Sequence, residues 1–261
     1  MRNILVTGGS RGIGRAIVSR FARAGDTVWF TYHRGAAEAR ELIGELAGCP
    51  RPRAFPFAQG DWDSHTALME RLPGPVDVLV NNAAVGSRTV EMYSGPEAYQ
   101  RDLAMLRINA LGPLWLIQAV AAGMERRGGG KIVNICSVGG GITQFAGFAH
   151  SDGMSKAALA HLTRQLAAEW AHSPIDVFAL CPGATDTPMF HASTLDGLGP
   201  GERAAVEAAL PGGRLLSPGE LAEIVFWLAG PHSAAMHGAV IDASLGLGSA
   251  PGLLSRKAEV S

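Results

Sequence analysis

Tyrosine and cysteine are both scarce in this chain, three of each among 261 residues. Cys49, Cys136 and Cys181 are odd in number, far apart in sequence and without a C-x-x-C pair. That pattern excludes a disulfide framework, offers no zinc site and suits a reducing cytoplasm. Excess charge is missing too. A formal net charge of −1 argues against nucleic acid or an anionic membrane surface as the partner. The most apolar stretch, residues 111–124, is too short to span a bilayer and contains Gln118, so it reads as a buried helix. A first strand beginning at Asn3 or Ile4 leaves no room for a signal peptide. No repeat, low-complexity tract or linker marks a second domain. A soluble, cytoplasmic protein with no metal and one domain over 1–261 is expected.

What the chain does have is alternation. Short β-branched and apolar runs at 3–7, 27–32, 53–58, 76–81, 131–136, 175–181 and 239–243 are separated by helical patterns near 13–24, 36–47, 64–72, 97–124, 153–171 and 218–229. Strands separated by helices indicate a parallel sheet with helices on both faces. The strand runs are apolar without alternation, as strands covered on both sides should be. The fold class is therefore α/β: a Rossmann-type, doubly wound parallel sheet of about seven strands.

A glycine-rich turn, ILVTGGSRGIGRAI, joins the first strand to the first helix. Gly8, Gly12 and Gly14 permit a tight turn, close approach of a pyrophosphate and helix–strand packing, and the helix start offers N–H groups to phosphate. A glycine-rich turn alone also describes a flexible loop; its place between a strand and a helix makes it a dinucleotide signal. An NAD site usually places an acid about 20 residues further on for the ribose 2′-hydroxyl. Here the sequence reads Thr31-Tyr32-His33-Arg34. Arg34, His33 and Arg11 suit a 2′-phosphate instead, since a guanidinium fork matches its oxygens. NADPH is expected over NADH.

With these pieces placed, the chain resembles the short-chain dehydrogenase/reductase family from end to end. TGGSRGIG (7–14) is similar to its cofactor motif, which brings Ser10, Arg11 and Ile13 into the predicted site with the glycines. Asp61, with Trp62 beside it, resembles the adenine-contacting acid. NNAA (81–84), with Asn82, Ala83 and Ala84, resembles the NNAG motif, and PGATDT (182–187) the PGxxxT motif. There the resemblance implies Pro182, Gly183, Thr185 and Thr187 around the nicotinamide. It also implies Ser137 as the catalytic serine, Lys156 as the catalytic, ribose-binding lysine, and Asn109 as holder of a relay water. A homodimer or homotetramer joined through the fourth and fifth helical stretches is implied as well.

The departure is at the centre. The family's proton-donating tyrosine stands four residues before the lysine, where this chain has Asp152, and the serine-to-lysine spacing is about two residues longer than usual. Such a tyrosine-less, Ala/Gly-rich member is similar to the atypical ketoreductases that tailor angucyclinone polyketides. Asp152 is a poor acid, with an unperturbed pKa of about 3.9 against ~10 for a phenol, and its i,i+4 spacing from Lys156 favours the carboxylate further. Ser151 or Asp152 reads better as the cap of the helix carrying Lys156. His150 is a second candidate acid. Tyr93 and Tyr99 precede the fourth helical stretch and cannot fill position 152. The remaining donor is the substrate, through a hydroxyl adjacent or peri to its ketone.

Residues 189–217 occupy the position of a substrate lid, with Met189, Phe190, Leu195, Leu198 and Leu210 among glycines; a packed surface helix pair fits the same pattern. Trp115, Phe145 and Phe148 stand as candidates for the substrate mouth or for the core. Such a lid suits a bulky, apolar small molecule. Two functions remain open: an NADPH-dependent ketoreductase acting on a polycyclic ketone, or a catalytically silent NADP(H)-binding sensor or scaffold. Retention of Ser137, Asn109 and Lys156 favours the enzyme.

Overall fold

Seven short apolar runs pair side by side, all parallel, in the order β3-β2-β1-β4-β5-β6-β7. They are β1 (Asn3–Val6), β2 (Thr27–Tyr32), β3 (Arg53–Pro56), β4 (Val78–Asn81), β5 (Gly130–Ile135), β6 (Ile175–Pro182) and β7 (Val240–Ala243). The computed structural model describes residues 1–50, 52–145 and 149–250; Phe148, a candidate for the substrate mouth, lies outside them. Neighbouring positions on a strand face opposite sides. Ile4 and Val6 pack with Ile17 and Phe21 of α1 (Gly12–Arg23) and Val225 of α10 (Pro218–Leu228), and α2 (Ala36–Glu45) adds Leu42. Between them, Leu5 faces the other way. It meets Leu68 of α3 (Trp62–Arg71), Leu116 and Met124 of α5 (Gly112–Arg126) and Leu166 of α7 (His150–Glu169). Both faces are covered, so the strands could not alternate apolar with polar.

The chain runs outward through β1, β2 and β3, then returns to pair β4 with β1, with Ile4 beside Val78. The two halves part there, and this switch point at the carboxyl ends of the strands is where doubly wound sheets bind ligands.

The helical stretch expected at 97–124 is α4 (Ala98–Leu106), a π turn over Arg107–Leu111 and α5. Pro113 has no N–H to close a bond to the carbonyl four residues back, and the Gly112 N–H bonds five residues back to Arg107. The helix widens at Asn109 for that reason. Taken together, Ala98–Arg126 has the length and mean hydropathy to cross a membrane, which the reading of 111–124 alone missed. It packs on the sheet through Leu116, Ile117, Val120 and Met124. The longest helix not expected as a definite element is α9 (Pro200–Ala209), started by Pro200 and by Glu202, whose carboxylate accepts the Gly199 N–H at 2.9 Å.

Candidate active site

A cleft of about 1370 Å³ opens over the switch point. Its floor is the β1–α1 turn. Gly8 and Gly12 have φ of +66° and +55°, a region that favours glycine. At Gly14 the constraint is space: a Cβ there would lie 2.2 Å from the Gly8 carbonyl oxygen and 2.5 Å from Asn82 Nδ2. Asn82 uses that amide to hold the turn, donating to the carbonyls of Thr7 and Gly8 at 2.9 and 3.1 Å. Thr7 Oγ1 accepts from the backbone N–H groups of Asn82 and Ala83. No side chain caps α1 and no acid occupies its first turn. Its N–H groups and positive dipole end are left for an anion. A dinucleotide pyrophosphate fits this cradle.

At the end of β2, Tyr32, His33 and Arg34 line the cleft with Ser10, Arg11, Gly12 and Ile13. Arg34 Nη2 donates to the Met92 carbonyl at 2.5 Å, its guanidinium lies 5.0 Å from the Tyr93 ring centroid, and the His33 ring is 5.3 Å from the same ring. Asp61 lines the cleft and caps α3, accepting the Asp63 N–H at 3.3 Å. Trp62 departs from expectation. Its ring turns away from the cleft to stack on His65 and meet Trp115 edge-on at 5.4 Å, because the first helical residue after a capping Asp61 points outward along α3. Trp115 is removed from the substrate mouth by the same cluster.

At the other end, Ser137, Lys156 and Asp152 face the cleft with Pro182, Gly183, Thr185 and Thr187. Ser137 Oγ accepts the Gly139 N–H at 3.1 Å and caps a single turn, α6 (Val138–Gly141), which leaves its hydroxyl proton free to donate. Asn109 lies beneath rather than in the cleft. Its side chain accepts the Val85 N–H and donates to Val85 O, both at 2.9 Å, and to Ser155 Oγ at 3.1 Å; Ser155 Oγ in turn donates to Asp152 O at 2.8 Å. Its side chain therefore fixes the backbone on which the cleft is built. Asn81, Asn134 and Thr163 form a second buried chain beneath the centre.

The expected cap does not form. α7 begins at His150, two residues earlier than a Ser151 cap requires and three earlier than an Asp152 cap, and its N-cap is Ala149 with no side-chain bond. Asp152 sits in the first turn, where a carboxylate still meets the positive helix end. Nor does it turn to Lys156; its Oδ2 accepts the Ser87 hydroxyl at 3.0 Å. His150 is exposed and is not among the residues lining the cleft. Tyr99 is 61% exposed on α4; Tyr93 lines the cleft, but on the Arg34 side.

Met189 and Phe190 of α8 (Pro188–Phe190), with Ala192, Ser193 and Thr194, form one wall. Leu195 and Leu210 are buried beneath that segment. A bridge between Thr185 and Leu216 closes its base, with Leu216 N donating to Ala184 O and Asp186 N to Leu216 O, both at 2.9 Å. Phe145 also lines the cleft. Ser87, Thr89 and Gln59 line it without having been expected; Gln59 donates to the carbonyls of Ala83 and Ile108, both at 2.8 Å. No motif announces them, since their places depend on loops.

Two cysteines far apart in sequence meet just below this end. Cys136 and Cys181 follow paired residues of β5 and β6, and both are buried. The Cys136 thiol is pushed well above the ordinary range by its hydrogen bond with Cys181 and by burial, so it stays protonated and is no nucleophile.

A model of the short chain dehydrogenase family matches residues 2–196. Among curated proteins the chain is similar to the 3-oxoacyl-(acyl-carrier-protein) reductase MabA of Mycobacterium tuberculosis, 32% identical over 251 residues covering 95% of this chain and 93% of that protein. It is also similar to the acetoacetyl-CoA reductase of Rhizobium meliloti, 34% identical over 251 residues covering 94% and 98%. Among solved structures, a variant of the actinorhodin polyketide ketoreductase with NADPH superposes with a TM-score of 0.83 at 34% identity, covering 95% of this chain and 97% of that one.

Proposed function

Since the chain belongs to the short-chain dehydrogenase family, an oxidoreductase acting on C=O and CH–OH groups, we propose that it is an NADPH-dependent ketoreductase whose substrate is a bulky polycyclic aromatic ketone and supplies, beside Ser137, the second hydrogen-bond donor in place of the absent tyrosine. The observation that carries the reading is Asp152, held by Ser87 and facing the cleft between Ser137 and the lid wall, where relatives of this family place a phenol. The narrower likeness is to ketoreductases of angucyclinone polyketides, the simocyclinone ketoreductase in particular.

When bound, the nicotinamide supplies the hydride. The residues of this chain do the rest by position. Gly8, Gly12 and the start of α1 take the pyrophosphate; Arg34, Arg11 and His33 take the 2′-phosphate; Lys156 takes the ribose. Pro182, Gly183, Thr185 and Thr187 border the nicotinamide, and Ser137 donates to the ketone oxygen. A carboxylate beside that oxygen repels the charge that develops there, so a substrate hydroxyl hydrogen-bonded to the ketone is the group that offsets it, and solvent or a relay from it gives the alkoxide the proton that completes the alcohol. Proximity and orientation account for much of the barrier lowering. Segment 189–217 acts as the lid over a single catalytic domain, in a cytoplasmic homodimer or homotetramer.

Two results are expected. In a panel of hydroxyquinone-type polycyclic ketones, substrate-dependent NADPH oxidation should appear, NADPH should bind more tightly than NADH, and Arg34→Ala should narrow that gap. A protein that binds NADPH but reduces no member of the panel would be the silent sensor instead. Asp152→Asn should keep most of the turnover, whereas loss of a true general acid costs about a hundredfold or more. A loss of that size, with cofactor binding intact, would make the carboxyl the proton donor.

A further inference from the structure

One segment runs the length of the cleft. From Gly86 to Ser94 it follows β4, and Gly86, Ser87, Met92 and Tyr93 all line the site. It is tied at both ends, and between them Val90 is buried with Val85 and Met105 while Glu91 pairs with Arg101 at 2.8 Å. At the adenosine end Arg34 holds the Met92 carbonyl at 2.5 Å and packs over Tyr93. At the carbonyl end the Ser87 hydroxyl donates to Asp152 at 3.0 Å. The lid reaches the same point: a Cβ on Gly86 would lie 3.6 Å from Met189 Sδ and 3.9 Å from Asp152 Oδ2. Met92 is 48% exposed and Ser87 is exposed, so the packing of Val90 leaves the two ends of the segment to their polar ties.

We infer that Asp152 is a positioning residue that latches residues 86–94 along the cofactor cleft through Ser87, and that release of this latch sets how fast NADPH leaves. A carboxylate at this position can accept the serine hydroxyl, where a phenol reaching toward a ketone would be committed to the substrate. The latch rests on the NADPH assignment and not on the identity of the ketone. It joins the segment to the first turn of α7, which Asn109 and Ser155 already bind to the backbone at Val85. The Ser87 end of the segment is thereby anchored to a buried base, and the Met92 end to Arg34 after β2.

The test is stopped-flow displacement of NADPH, followed by its fluorescence, with hydrogen exchange of the amides in 86–94. Loss of one exposed hydrogen bond should raise the dissociation rate about three- to tenfold in Asp152→Ala and in Ser87→Ala. The double variant should be no faster than either single one, because the two side chains share one interaction. Asp152→Asn keeps an acceptor oxygen and should restore both the slow dissociation and the exchange protection of the parent. Ser87 is exposed, so Ser87→Ala reads the latch even where a variant at 152 folds poorly. Rates within twofold of the parent in both alanine variants, or effects that multiply in the double variant, overturn the latch. A parent protein that binds no NADPH overturns the cofactor assignment and the latch with it.

Discussion

Methylating the hydroxyl next to the ketone should lower kcat by about a hundredfold or more while leaving the substrate able to bind. The expectation follows from what faces the ketone. Ser137 has one hydroxyl proton to donate, its oxygen being already engaged by the Gly139 N–H. The next polar group in the wall, Asp152, accepts rather than donates. A substrate hydroxyl bonded internally to its ketone strengthens that bond as the oxygen gains charge, and removing one such donor typically costs on the order of 3 kcal/mol in the transition state. Because the bond is weak in the ground state, the loss belongs in kcat more than in KM. The Met189 and Phe190 wall must admit one added methyl, which a binding measurement with the ether checks directly. Equal rates for the phenol and its ether would show that the substrate does not replace the missing tyrosine.

The second large effect is expected far from the ketone. Gly14→Ala puts a methyl 2.2 Å from the Gly8 carbonyl oxygen and against the Asn82 amide that ties down the phosphate turn. The obstacle is backbone on one side and a hydrogen-bonded amide on the other, so neither yields by a simple rotamer change. Overpacking of this kind costs about 1–3 kcal/mol, which in a chain of this size lowers Tm by roughly 3–10 °C. Displacing the turn also moves the N–H groups meant for the pyrophosphate, so NADPH affinity should fall by about tenfold or more. Calorimetry and fluorescence titration check the two halves separately. A Tm and a Kd both unchanged would mean that the turn has slack the structure does not show.

Gly14 also illustrates why so much of the architecture was legible in the sequence. Strand, turn and helix at residues 3–23 are written in local patterns, as are the apolar runs of β4, β5 and β6, and each of these runs needs no knowledge of its neighbour to be recognised. Asp152 shows the opposite. Its rank in the helix depends on where α7 starts, and a helix start without a side-chain cap leaves no mark in the sequence. Its partner Ser87 lies in a loop 65 positions earlier, and only the folded sheet brings them together. Trp62 failed for a related reason: adjacency to Asp61 in sequence placed it near the adenine, whereas the outward face of α3 sends its ring to Trp115. Asn109 was found by its motif, but the work of its side chain could be seen only with Val85 and Ser155 in place.

The bridge between Thr185 and Leu216 has a consequence for how such an enzyme changes its diet. The chain leaves the sheet region and returns to it at a single point, so everything between is a closed excursion whose length the sheet does not register. Residues can be inserted, deleted or exchanged along 188–215 without altering the distance β6 and α10 must span. If the segment is the proposed lid, substrate range would be carried on a cassette, and a segment of different length taken from a relative could be spliced across the same two anchor positions.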